Sequence, residues 1–373
     1  MRSVKMTVVM RMHKTKIALH LSFFVLTLAV AVNSLAGTLR EEVKKTFPLS
    51  GETQLHIKNS RGKTIIIGKE GLKQISIEAT KIVKTKSEEA AEELMKALTF
   101  EVKSEGDVVW IITHHPDEQK EEKTIWSFFK GLRHRTAVDF MVQVPRSFSA
   151  QVTTTSGDVE VASIDGNAKL VGTSGDVRIG EIGGSAYLEF TSGDVEIKEV
   201  KGKVKVALSS GSAYVDKVGK DLLLAATSGN VKAFNIGGNA DVQLVSGDLI
   251  MKGCKGSLKS VSASGDMVIK DVDGSIEVNS SSGDIEIFLM PLGENKYNLN
   301  TCSGDVDVIY RLGRNLGFLL DVNTMSGSIE GDMDIKLEKV SRRHLKGIVG
   351  NGKATIVIAT ASGDVSIYKG NGD

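Results

Sequence analysis

Apolar and polar residues alternate with period two over short runs, and the runs themselves return every 18 residues. Ser-Gly pairs beginning at Ser156, Ser174, Ser192, Ser210, Ser228, Ser246, Ser264 and Ser282 keep that phase without a slip. Counting each Ser as zero, positions 3, 5, 8, 12 and 14 are mostly apolar, as in Val159, Val161, Ile164, Ala168 and Leu170. Successive side chains of a strand point to opposite faces, so each repeat is predicted to hold two short strands with one face inward. Glycine opens the second half at position 10, and Ser-Gly-Asp suits the first corner. There glycine reaches positive φ while Ser and Asp side chains bond nearby backbone groups. Two strands alone bury too little apolar surface to be stable, and stacking one repeat on the next builds a continuous core. The pattern therefore predicts an all-β protein, a parallel β-solenoid (β-helix) of 18-residue, two-strand coils. Eight coils at about 4.8 Å each make a rod of roughly 40 Å.

Before the repeats, residues 37–150 carry strand patterns without the clean phase, such as Gln54-Leu55-His56-Ile57 and Gln74-Ile75-Ser76-Ile77. They read as an irregular N-terminal β region and cap. One short helix interrupts it, with Ser87 as N-cap, Glu88 and Glu89 in the first turn, and Ala91, Leu94, Met95 and Leu98 on one face. Beyond Ser282 the spacing loosens at Ser303 and Ser326, and the basic stretch from Lys336 to Lys346 reads as a larger insertion. Ser362-Gly363-Asp364-Val365 restores a final coil, so 151–373 is read as the regular solenoid with C-terminal insertions.

The first 36 residues have a different character. Arg2, Lys5, Arg11, Lys14 and Lys16 precede an apolar run from Ile17 to Val32, and Ser34-Leu35-Ala36 supplies the small residues a signal peptidase needs. A signal peptide at 1–36 cleaved after Ala36 is predicted, with an uncleaved anchor as the alternative. The run falls short of the ~20 residues that span a bilayer, and no later segment is apolar enough to do so, so the mature chain is expected to lack a transmembrane span. The protein is thus read as exported, to the periplasm, the cell surface or the medium. Export permits disulfides, but Cys254 falls at inward position 8 and Cys302 precedes a corner more than two repeats away, so both are read as free.

Overall charge points to no polyanionic partner. Lysine and arginine (47) nearly cancel aspartate and glutamate (46), so no overall field draws the chain to nucleic acid or to an anionic membrane. The aspartates at position 2, from Asp158 to Asp364, stack as a carboxylate ladder. Calcium is one reading and corner hydrogen bonding the favoured one, because Ser212 and Asn230 interrupt the ladder and neighbours 4.8 Å apart in water repel by only about 0.9 kcal/mol. His114 and His115 face opposite sides of a strand and are read as loop polarity, not as metal ligands. No nucleophile elbow occurs, and the abundant serines are explained by corners, so no catalytic, metal or cofactor residues are assigned. The single aromatic and basic cluster is Trp126, Phe128, Phe129, Lys130 and Arg133, with Arg135 beside it. It is a candidate binding surface or, as the favoured reading, a cover for the exposed strand edge at the solenoid's end.

The Ser-Gly-Asp-Val ladder, the strand ending in Val144-Pro145, and the closing stretch Gly352 to Val365 together resemble the bacterial domain-of-unknown-function family labelled putative adhesins. The resemblance covers about Phe47 to Lys369 and implies an exported β-solenoid tied to envelope stress or surface attachment, with no catalytic motif. The leading expectation is a non-enzymatic adhesin or envelope-associated binding scaffold whose partner is a cell-envelope or surface component, glycan or protein. Its oligomeric state is open. The alternatives are a carbohydrate-active enzyme on the same scaffold and a purely structural envelope component.

Overall fold

A computed structural model describes residues 26–35, 37–118 and 134–370. Among them, two sixteen-stranded sheets enclose one apolar core. Each regular coil gives one strand to each sheet, as Val177–Ile182 and Ala186–Ser192 do. Every such strand pairs in parallel with its counterpart 18 residues on: Val177 with Val195, Leu188 with Val206, Ser192 with Ser210. Val159, Val161, Ile164, Ala168 and Leu170 are buried, as is Cys254, and both cysteines are free. Position 16 is inward too, through Phe190, Leu208, Ala226 and Leu244. Because Gly172, Ser262 and Ser280 share that position, its apolar character is hidden in the sequence.

The first corner follows expectation. Gly175, Gly193 and Gly211 have φ of +125°, +125° and +122°. Around them the aspartates form the predicted ladder, each carboxylate accepting the backbone N–H of the same position in the next coil. Asp194 N–H reaches Asp176 at 3.1 Å, Ser212 N–H reaches Asp194 at 2.8 Å, and Asp284 N–H reaches Asp266 at 2.9 Å. The second corner is built differently from the sequence reading. In five of the seven coils from Ser156 to Ser264 a left-handed residue stands at position 7, where Ser163, Lys217, Asn235, Gly253 and Asp271 have φ of 59°, 52°, 54°, 79° and 56°. Glycine at position 10 serves close stacking instead: a Cβ on Gly202 would sit 2.5 Å from the carbonyl oxygen of Gly184.

At both ends, spatial order departs from chain order. The strands Gln54–Arg61 and Thr64–Lys69 form a coil that lies between the coil of Ser149–Ser156 and Val159–Ala162 and the coil of Val108–His114 and Arg135–Pro145. At the other end the last coil, Ala354–Ser362 and Val365–Lys369, slots between Lys296–Ser303 with Val306–Tyr310 and the earlier Phe318–Ser326 with Ile329–Asp332. The expectation that coils stack in chain order to a final C-terminal coil is corrected here. The Ser-Gly phase aligns Ser303, Ser326 and Ser362 equally well in either order, so the phase alone does not choose. The arrangement makes Cys302 the lateral neighbour of Ala361, flanked by the pairs Thr301–Thr360 and Ser303–Ser362. Adjacent coils lie about 4.8 Å apart, within the separation a disulfide spans. Oxidised Ala361→Cys should therefore crosslink to Cys302, whereas Met325→Cys, two coils from Cys302, should not. Mass spectrometry of the oxidised variants checks this, and the reverse outcome would restore chain order.

The helix Glu88–Ala97 closes the N-terminal end of the core. Ser87 caps it by accepting the Ala90 N–H at 3.3 Å, Glu88 and Glu89 occupy the first turn, and Ala90, Ala91, Leu94 and Met95 are buried. These residues pack on the strands Thr38–Pro48 and Gln74–Lys84, which extend one sheet in antiparallel fashion beyond the coils. Leu26–Leu35 pairs antiparallel with Thr38–Pro48. At the C-terminal end an antiparallel hairpin, Ile335–Ser341 and His344–Val349, forms the outer edge of the other sheet.

Candidate functional site

Trp126, Phe128, Phe129, Lys130 and Arg133 lie outside the described residues, and only their flanks can be placed. The chain leaves at Glu118 and returns at His134 beside the first corner of the N-terminal coil. Arg61 there takes the Ser-Gly serine's place in register with Ser156. Arg61 pairs with Asp117 through a short contact and with Glu118 at 3.5 Å. Asn59 donates to the carbonyl of Val138 at 2.8 Å.

His115 corrects the loop-polarity reading. It is fully buried, with Nδ1 3.0 Å from the Thr136 hydroxyl, and Nε2 has no hydrogen-bond partner among the described residues. Its neighbour His114 faces the other way, 3.8 Å from Glu101. Burial lowers the His115 pKa, and the nearby Arg61 charge lowers it further. Burial likewise lowers that of His56. Burial pushes the Asp117 carboxyl up, but the Arg61 hydrogen bond and charge outweigh it and hold the group below the usual range. The unfolded chain takes up protons on these two histidines near pH 6.5, while the folded chain does so only at lower pH. The stability that neutral His115 and His56 confer is therefore present above that pH and lost as pH falls below it. The slope is at most about 1.4 kcal/mol per pH unit for each histidine. The melting temperature should drop between pH 7.5 and 5.5, and a His115→Gln variant should flatten part of that drop; equal melting temperatures at the two pH values would contradict this.

Among the described residues a different surface gathers apolar side chains in the open. Positions 4 and 6 of each coil point outward from the sheet that holds Val177–Ile182. Near its start this face is laced with ion pairs, Lys63 with Glu160 at 3.8 Å and Arg178 with Glu196 at 3.6 Å. Further along, register stacks Tyr214 beside Lys232, Ile250 and Val268 in one column. The other column holds Phe234, Lys252, Lys270, Phe288, Ile309 and Tyr368. Tyr214 is 41% and Tyr368 44% exposed. The Tyr214 and Phe234 rings lie 5.6 Å apart, and Lys270 Nζ sits 3.8 Å from the centre of the Phe288 ring. Lys270 also reaches Glu286 at 3.8 Å. Seven coils at about 4.8 Å make a strip of roughly 30 Å. Beside Phe288 a hollow of about 350 Å³ opens between Lys252, Met290, Ile309 and Arg311. The strip offers ring faces and ammonium groups side by side, which suits an extended ligand carrying apolar faces and polar or anionic groups.

This site escaped the sequence reading because each coil contributes only one or two of its residues. It becomes visible when outward positions are read down the columns. Among the described residues no group of three or more His, Cys, Asp or Glu converges as metal ligands do.

The stacked, parallel-paired coils define a parallel β-solenoid. The chain belongs to the Toastrack DUF4097 family, whose profile matches residues 52–251 and 217–368. No curated protein matches it. Among solved structures it is similar to a putative adhesin from Parabacteroides distasonis, at 12% identity and TM-score 0.34, covering 88% of this chain and 97% of that one. It is also similar to a putative lipid binding protein from the same species, at 13% identity and TM-score 0.31 over 88% and 97%. A third is a putative cell adhesion protein from Clostridium sporogenes, at 10% identity and TM-score 0.18 over 88% and 99%.

Proposed function

We propose that the chain is an exported, non-enzymatic binding scaffold acting in surface adhesion or at the cell envelope. The observation that carries this reading is the outward strip from Tyr214 to Tyr368, where exposed and half-buried rings share one face with lysines, a combination suited to recognition. The partner is an extended surface component, glycan or protein, lying along the coils. Export rests on the leader at 1–36, removed after Ala36. Its loss would leave Thr38–Pro48 as a sheet edge carrying Arg40, Glu41, Glu42, Lys44 and Lys45, the charged kind of edge that resists unwanted strand pairing. The test is to incubate the purified mature chain with isolated cell envelopes and glycan arrays. Retention without release of sugar ends supports the proposal, and robust glycan cleavage would overturn it.

A further inference from the structure

The hairpin at the C-terminal edge carries a second feature, independent of the strip. Between Lys336 and Lys346 it holds Lys336, Lys339, Arg342, Arg343 and Lys346 against the single carboxylate of Glu338. The chain as a whole has a net charge of only +1, so this field is local. Glu338 is matched by Lys346 at 3.4 Å and His344 by Asp321 at 3.1 Å, while Asp332 and Asp334 lie at the hairpin's root, away from the Arg342–Arg343 turn. Among the same residues Leu337 is 51% and Val340 65% exposed. Cations and bare aliphatic groups thus share one projecting element.

We infer that this hairpin docks on an anionic phospholipid surface. Charge complementarity names the occupant: Lys and Arg near an anionic bilayer are each attracted to it, and aliphatic side chains beside them enter the headgroup boundary. A strand adding to the hairpin's free edge is disfavoured. The register shifts between Leu337 and Lys339, and lysines line the edge, both features that obstruct strand addition. An anionic polymer would match the cations but leave Leu337 and Val340 in water.

The test measures partitioning of the full chain onto vesicles of phosphatidylcholine with and without phosphatidylglycerol. Arg2, Lys5, Arg11, Lys14 and Lys16 also favour anionic vesicles, and parent and variants share them, so the difference between the parent and its charge variants on anionic vesicles reports the hairpin. The parent should prefer the anionic vesicles, and added salt should weaken that preference. At about fivefold per cation, replacing Lys336, Lys339, Arg342 and Arg343 with Gln should lower anionic partitioning by two to three orders of magnitude. The milder Arg342→Gln/Arg343→Gln pair, at the turn, keeps the test open if the quadruple variant unfolds, and should cost about 25-fold. Leu337→Ser/Val340→Ser should weaken binding without altering its salt dependence. Serine in place of the strip's aromatics should leave vesicle binding unchanged, which separates this inference from the proposed function. Equal partitioning onto both vesicle types, unchanged binding by the charge variants, or binding to polyphosphate without binding to vesicles would each overturn it.

Discussion

Gly193→Val should destabilise the protein by several kcal/mol, the largest effect expected of any single corner substitution. Gly193 sits in the middle of the regular stack at φ of +125°, a region that a β-branched residue reaches only as an outlier. Space compounds the strain. A Cβ there would lie 2.1 Å from the carbonyl oxygen of Gly175, a backbone atom of the adjacent corner that cannot swing aside as a flexible side chain would. Relief requires the two coils to part, which breaks their shared ladder. Lys203→Val is the control. Lys203 is exposed, its side chain meets Asp221 at 2.8 Å, and its backbone N–H rather than its side chain joins the stack by bonding Ser185 at 3.1 Å. A surface ion pair of this kind contributes at most about 1 kcal/mol. Thermal unfolding should separate the two variants widely, and equal shifts would refute the corner assignment.

Leu94→Ala should cost about 2–5 kcal/mol, the range for emptying a fully buried leucine site. Its consequence differs from that of Gly193→Val because of where it acts. Leu94 lies on the helix that closes the N-terminal end of the core, packed on the strands Thr38–Pro48 and Gln74–Lys84. Loosening the helix uncovers the ends of coils whose neighbours are strands, and an uncovered strand edge recruits other chains. Loss of stability should therefore come with concentration-dependent association, visible by light scattering below the melting temperature. A variant as stable as the parent would show that the helix is not what closes this end.

The regular coils were legible because one constraint repeats: inward positions must be apolar and corners must turn, so Val159, Val161 and Ile164 announce the fold through period alone. The helix was legible for local reasons, since Ser87, Glu88 and Leu94 carry its cap, its dipole and its apolar face. Coil order at the ends was not, because interchangeable coils obey the same phase. The burial of His115 was hidden because a strand end and a loop start look alike without the corner formed by Arg61 and Thr136. The outward strip was hidden for a third reason. Phe234, Phe288 and Tyr368 lie 54 and 80 residues apart in the chain and become neighbours in one column only through the parallel register and the slotting of the last coil.

The proposed function rests on the two-column strip from Tyr214 to Tyr368 binding an envelope component. Serine at Tyr214, Phe234, Phe288 and Tyr368 removes the rings from an outward face and leaves the core untouched. Retention of the purified chain on isolated cell envelopes, parent against this variant, tests whether the strip binds. At least a tenfold loss of retention is predicted, with the fold and the cooperative melt preserved, since a few aromatic anchors carry most of the energy of such an interface. Equal retention by a folded variant would contradict the account.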